Sequence, residues 1–226
     1  MSPEPALAAP RTAAVLPVKR FDSAKQRLAD ALTPGSRRAL TEAMVSDVLR
    51  ALRHANAVDE VTVVTAEPAV QALALGEGAR VVDEPVEAGQ SAAAGLGIAA
   101  LDEGVERVVL VPGDCPGLDP AELDALLDRP AVAGGEVVVV PDRHGTGTNA
   151  LVLEPPTAID PAFGPGSRER HERLAAQAGV ACEVREPGTL LLDVDTGEDL
   201  DALRAALAAG RGLAGHTRGV LGRLAR

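Results

Sequence analysis

Short apolar runs alternate with stretches of helical period along most of the 226-residue chain. The first run, residues 13–18, is apolar without alternation and predicts a strand buried on both faces. Thr33-Pro34-Gly35-Ser36 reads as a breaker and helix start. Leu40, Met44, Val48 and Leu52 then recur at helical spacing to about His54. The β-branched run 61–65 predicts a second strand, 69–75 a short helix and 79–82 a short strand. The alternation continues with a small-residue helix at 91–101, a strand at 107–111 ended by Pro112-Gly113, a helix at 121–127 and a strand at 137–140. The last third predicts strands at 150–153, 180–184 and 190–192, with helices at 168–178 and 200–209. Fully apolar strands alternating with helices predict a single-domain three-layer α/β/α fold with a mostly parallel sheet.

The pattern also sets the boundaries. Residues 1–11 are rich in Ala and Pro and read as a disordered lead-in. Residues 12–209 carry the domain. Residues 210–226 form a basic Gly/Arg-rich tail, with Arg211, Arg218, Arg223 and Arg226 and no acid, expected to fray.

Composition narrows the function. The chain has 22 basic and 33 acidic residues, a formal charge of −11, and aromatics make up 1%. With no basic excess and almost no stacking rings, nucleic acid is not an expected partner. No run approaches the roughly 20 apolar residues of a membrane span, so no membrane association is expected. The N-terminus lacks the form of a signal peptide. Two cysteines, Cys115 and Cys182, give neither a disulfide framework nor metal spacing, and the expected location is cytoplasmic.

In open α/β sheets ligands bind beyond the carboxyl ends of the strands, so the turns there are the candidate sites. The first follows the opening strand: Leu16-Pro17-Val18-Lys19, then Lys25-Gln26-Arg27. Its cations suit a triphosphate or make a solvated basic loop; it is neither a Walker A loop nor a Rossmann fingerprint. Gly113-Asp114-Cys115-Pro116 places one carboxylate at a strand end, suited to Mg²⁺ with phosphate or to turn capping. Asp193 and Asp195 fall on one side of an extended segment, where a cation would relieve their repulsion; alternatively Asp195 or Thr196 caps the next helix. Gly145-Thr146-Gly147-Thr148-Asn149 offers close backbone approach and neutral donors, or a hairpin connection. In Phe163-Gly164-Pro165-Gly166-Ser167, Ser167 is expected at a helix N-cap that attracts an anion. Asp83-Glu84-Pro85 and Gly89-Gln90-Ser91 complete the set, with a base read there by backbone groups and Gln90.

Together these motifs resemble the 2-phospho-L-lactate guanylyltransferase family, whose actinobacterial members are described as phosphoenolpyruvate guanylyltransferases of coenzyme F-420 biosynthesis. The resemblance spans about Thr12 to Ala209, and Gly-Thr-Gly-Thr-Asn with Phe-Gly-x-Gly-Ser is its most specific part. It implies a nucleotidyltransferase fold like that of molybdenum-cofactor guanylyltransferases. It also implies transfer of GMP from GTP to phosphoenolpyruvate or 2-phospho-L-lactate with release of pyrophosphate. Carried over residue by residue, it makes Asp114, Asp193 and Asp195 ligands of Mg²⁺ and Lys25 and Asp114 catalytic. Leu16, Pro17, Lys19, Lys25, Arg27, Gly89, Gln90 and Ser91 would bind the nucleotide, and Thr148, Gly164 and Ser167 the acceptor. Thr146 is a near alternative to Thr148. The labile product implies a transient contact with the next enzyme. The alternatives are a nucleotidyltransferase of the same fold with a molybdopterin or sugar-phosphate acceptor, and a non-catalytic nucleotide-binding regulator.

Overall fold

The computed structural model describes residues 9–21, 25–210, 212 and 214–224. The order along the chain is β1 (Thr12–Pro17), α1 (Pro34–His54), β2 (Glu60–Val64), α2 (Pro68–Gly76), β3 (Arg80–Val82), α3 (Gln90–Ala99), β4 (Arg107–Leu110) and α4 (Pro120–Leu127). It continues with β5 (Glu136–Pro141), β6 (Thr148–Glu154), α5 (Ser167–Ala178), β7 (Ala181–Val184), α6 (Gly197–Ala208) and α7 (Gly215–Leu224). Seven strands of the described residues form one sheet in the order β3-β2-β1-β4-β6-β5-β7. β6 alone runs antiparallel to its neighbours, pairing Leu110 with Leu151 on β4 and Val139 with Leu151 on β5.

The central strands are apolar along most of their length because both faces are covered. Ala14 and Leu16 of β1 face α1, α2 and α4, in a core with Val48, Leu52, Val70 and Leu123. Ala13 and Val15 face the other way, toward Ala93 and Ala94 of α3 and Ala175 of α5. α3 is built of small residues so that it can lie close to the sheet. A Cβ on Gly97 would press into Val15 and stand 3.0 Å from Val64 Cγ2.

Three elements differ from the sequence expectation. Residues 190–192 form a turn and bend, not a strand, because both backbone groups of Leu190 are engaged outside any ladder. Leu190 N–H donates to the Pro187 carbonyl, and the Leu190 carbonyl accepts from Asn149 Nδ2. Ser167 does not cap α5; Gly166 holds the N-cap position at φ 68°, and Ser167 is the first helical residue. Within the tail, residues 215–224 form α7. Both carboxylate oxygens of Asp47 accept from its leading amides, His216 N–H and Thr217 N–H, at 2.9 and 2.8 Å. Val220 and Leu221 then pack with Leu40 and Met44 of α1 and Leu200, Leu203 and Leu207 of α6. The lead-in expectation falls mainly on residues 1–8, outside the described residues. Arg11 is anchored to Glu60 by a 2.9 Å ion pair.

Gly97→Ala should lower stability by about 1–3 kcal/mol, since the stiff valines beneath cannot yield. Gly95→Ala, where a Cβ meets nothing within 4 Å, should raise stability by up to about 1 kcal/mol. Urea titrations of the two variants check both signs.

Candidate active site

The strand order reverses at β1. The chain steps outward through β2 and β3, then returns by α3 to β4 on the other side. This switch point opens a crevice at the carboxyl ends of β1 and β4. Asp114 stands in the turn beyond β4. Lys25, after β1, reaches across the crevice: its Nζ lies 2.5 Å from Asp114 Oδ2 and 2.7 Å from Asp195 Oδ1. The two carboxylates hold the ammonium charged and raise its pKa, against the opposing effect of its burial.

Backbone contacts bring the distant Asp193–Asp195 segment here. Val194 N–H donates to the Asp114 carbonyl at 3.0 Å. Asn149 Nδ2, near the start of β6, donates to the Leu190 carbonyl at 2.8 Å and to Asp193 Oδ1 at 3.3 Å. On the far side, Asp199 Oδ2 accepts from Asp195 N–H and Thr196 N–H, closing a capping box at the start of α6. Arg143 clasps Asp199 at 2.6 Å. Burial, then the charges of Asp114 and Asp195, push the Asp193 carboxyl up to about 6. Asp114 Oδ1 is buried with no hydrogen-bond partner. Among the described residues no three acids, histidines or cysteines form a ready metal cage. Lys25 holds the space between Asp114 and Asp195.

A cavity of about 250 Å³ extends from these groups toward β3. Pro17, Lys19, Lys25, Gly89, Gln90, Asp114 and Asp195 line it. On the opposite side, β6 begins beside the end of β4 because the two strands run antiparallel. Its first residue, Thr148, has its Oγ1 3.1 Å from Ser167 Oγ and 3.0 Å from His171 Nδ1. Ala162 N–H donates to His171 Nε2 at 2.9 Å, so the ring proton sits on Nδ1 and is donated to Thr148. With His171 and Ser167 donating to its oxygen, the Thr148 hydroxyl proton is left for an outside acceptor.

A family model described as "Guanylyl transferase CofC like" matches residues 12–211. The chain belongs to this family. It is 54% identical to the phosphoenolpyruvate guanylyltransferase of Conexibacter woesei, over 95% of this chain and 97% of that one. It is 40% identical to the 3-phospho-D-glycerate guanylyltransferase of Phenylobacterium zucineum, over 82% and 86%. It is 36% identical to the 2-phospho-L-lactate guanylyltransferase of Methanothermobacter thermautotrophicus, over 84% and 82%. Among solved structures, a nucleotidyl transferase from Methanothermobacter thermautotrophicus superposes with a TM-score of 0.62 at 20% identity, covering 88% of this chain and 99% of that one. The protein is therefore a transferase with a nucleotidyltransferase fold. Among the described residues, no helix is long and apolar enough to cross a membrane.

Within this family member, the expected residues fall into two groups. Lys25, Asp114, Asp193 and Asp195 converge, with Pro17, Lys19, Gly89 and Gln90 along the cavity. Thr148 and Ser167 converge beside them, with Gly164, at φ 111°, in the loop before α5. Three expected nucleotide residues do not line the cavity. Leu16 is fully buried in the core. Arg27 is exposed on the short 3-10 turn Gln26–Leu28. Ser91 turns its hydroxyl to accept from Phe163 N–H at 2.9 Å, tying α3 to the loop before α5. Two residues were missed. His171 stands alone in sequence and carries no spacing signal. Asn149 sat inside a recognised motif, but its reach to residues 190–193 is tertiary.

His171 also gives the fold a pH dependence. Burial and the neighbouring Arg170 hold its pKa down to about 4, from an ordinary value of 6.5. As pH falls from about 6.5 to about 4, the unfolded chain gains a proton that the folded protein refuses. Its contribution to stability should fall across that window, by up to about 3 kcal/mol. Urea titrations of wild type and His171→Asn at about pH 7.5 and 4.5 isolate the loss by difference, since Asp193, raised to about 6, contributes in the opposite sense in both; the variant should lose less on acidification than the wild type.

Proposed function

We propose that this protein transfers GMP from GTP to phosphoenolpyruvate in the cytoplasm, releasing pyrophosphate, as a step of coenzyme F-420 biosynthesis. The observation that carries the reading is Lys25 held between Asp114 and Asp195 at the switch point, beside the Thr148–Ser167 hydroxyl pair. Phosphoenolpyruvate is preferred to 2-phospho-L-lactate and 3-phospho-D-glycerate because the relative named for it shares 54% identity, against 36% and 40% for the others.

The chemistry needs no general base. A phosphate oxygen of the acceptor, ionised at neutral pH, attacks the α-phosphorus of GTP. One P–O bond forms, the bond to the β-phosphate oxygen breaks, and pyrophosphate leaves. The difficulty is charge, because two polyanions must meet. Lys25 would leave the carboxylates for the triphosphate, where its charge stabilises the departing pyrophosphate. Thr148 would donate its hydroxyl proton to the acceptor, with Ser167 beside it. The hard oxygen donors of Asp114, Asp193 and Asp195 fit Mg²⁺, and the orphaned Asp114 Oδ1 and the raised Asp193 pKa both favour a cation. When bound, Mg²⁺ would neutralise charge on the phosphates. The enol-linked product is labile, which favours a transient contact with the next enzyme.

Pyrophosphate release from GTP and Mg²⁺ is expected with phosphoenolpyruvate and not without an acceptor. Parallel reactions with 2-phospho-L-lactate and 3-phospho-D-glycerate rank the acceptors. Asp114→Asn and Asp193→Asn should each reduce turnover by about 100-fold or more while melting as folded proteins. Wild-type turnover in either variant overturns the assignment.

A further inference from the structure

The nucleotide cavity contains one acid that the phosphate chemistry does not use. Glu84 lies in the loop between β3 and α3 and lines the cavity with Lys19, Gly89 and Gln90. The residue is 2% exposed. Its carboxylate receives no hydrogen bond from the described residues, and its oxygens are not among the polar atoms sealed from solvent, so what little of the residue is exposed faces the cavity. Burial, then the charge of Glu87, pushes its pKa up, opposed by Lys19.

Its place in the fold says what part of the substrate it faces. Along the sheet edge, Glu84 follows β3, the Lys25–Asp114–Asp195 group sits at β1 and β4, and the Thr148–Ser167 pair sits at β6. With the triphosphate at the central group and the acceptor beyond β4, the nucleoside must extend toward β3. Among the described residues no aromatic ring lines the cavity, so the base is recognised through its polar edge.

We propose that Glu84 selects guanine, its carboxylate accepting hydrogen bonds from both the N1–H and the N2 amino group of the base. The inference rests on the GTP reading above. An ionised carboxylate only accepts, and it presents two oxygens side by side. Guanine alone among the common bases offers two adjacent donors on that edge. Adenine and cytosine each place a ring acceptor beside a single donor group, and uracil sets its one donor between two acceptors. A buried acceptor pair left unmatched by the wrong base is costly, and this is the arrangement that yields strong discrimination.

Glu84→Gln tests this by a gain as well as a loss. The carboxamide presents one acceptor and one donor, which match the N1–H and O2 of xanthine. Calorimetric binding of GTP and XTP to the full-length protein, without acceptor, gives the ratio of affinities. The wild type should favour GTP, and Glu84→Gln should invert the ratio in favour of XTP, a change of about 100-fold or more. An unchanged ratio, or loss of both nucleotides in a variant that still melts cooperatively, overturns the inference. Pyrophosphate release by the wild type reads the transferase activity separately. If wild-type release occurs and the ratio does not move, only the role of Glu84 falls. If release fails while the ratio inverts, the base assignment stands and the transferase reading falls.

Discussion

Three carboxylates at one sheet edge repel each other, and the ammonium of Lys25 bridges two of them, Asp114 and Asp195. Asp114, Asp193 and Asp195 come from segments some 80 residues apart in sequence. Each is fixed by something other than its charge. Asp114 is carried at the end of β4, the other two by the Val194–Asp114 backbone bond, by Asn149 and by the Asp199 capping box. Lys25 reaches them from a left-handed backbone, φ 55° and ψ 39°, which costs about 1–2 kcal/mol in a residue with a side chain. Two short ion pairs on a side chain only 8% exposed offset that strain.

An apolar cluster supports this arrangement from below. Leu28, three residues beyond Lys25, and Val194, between the two distal aspartates, share one core with Leu40 and Met44 of α1, with α6 and with α7. The charged segments are therefore pinned from beneath by hydrophobic burial while their side chains face the crevice. α7 belongs to this scaffold, because without it Leu40, Met44 and Leu200 would lose their outer cover. The side of the crevice at β6 is stiffened differently, through polar contacts. His171 fixes the direction of the Thr148 hydroxyl, and Ser91 joins the start of α3 to the loop before α5. The two halves of the crevice, on either side of β1 and β4, are thus mechanically linked.

Much of this was legible in the chain. Fully apolar strands announced a sheet covered on both faces, and alternating helices announced parallel crossovers. The short turns after β1 and β4 marked the site, because an open sheet leaves its ligand crevice there. Motif resemblance supplied the transferase chemistry and most of the residues that converge. Arg27 and Leu16 do not line the cavity, because sequence proximity to Lys25 and Pro17 does not say which way a side chain points. Leu16 alternates with Pro17 on the strand and so faces the core.

What the sequence by itself determined was local: element type, the capping of α1 and α6, and the chemical inventory of each turn. These depend on periodicity and on contacts within a few residues. Tertiary structure alone decided the rest. Residues 190–192 have the composition of a strand, but Asn149 and Pro187 engage the backbone of Leu190 and leave a turn that delivers Asp193 and Asp195. The basic tail is helical because Asp47, far upstream, caps it and an apolar cluster receives it. His171 has no sequence signature, and Glu84 stood in a candidate turn without a role of its own, because the significance of each lies in its burial and its surroundings. Those are properties of the surrounding fold, created only when segments remote in the chain are packed together.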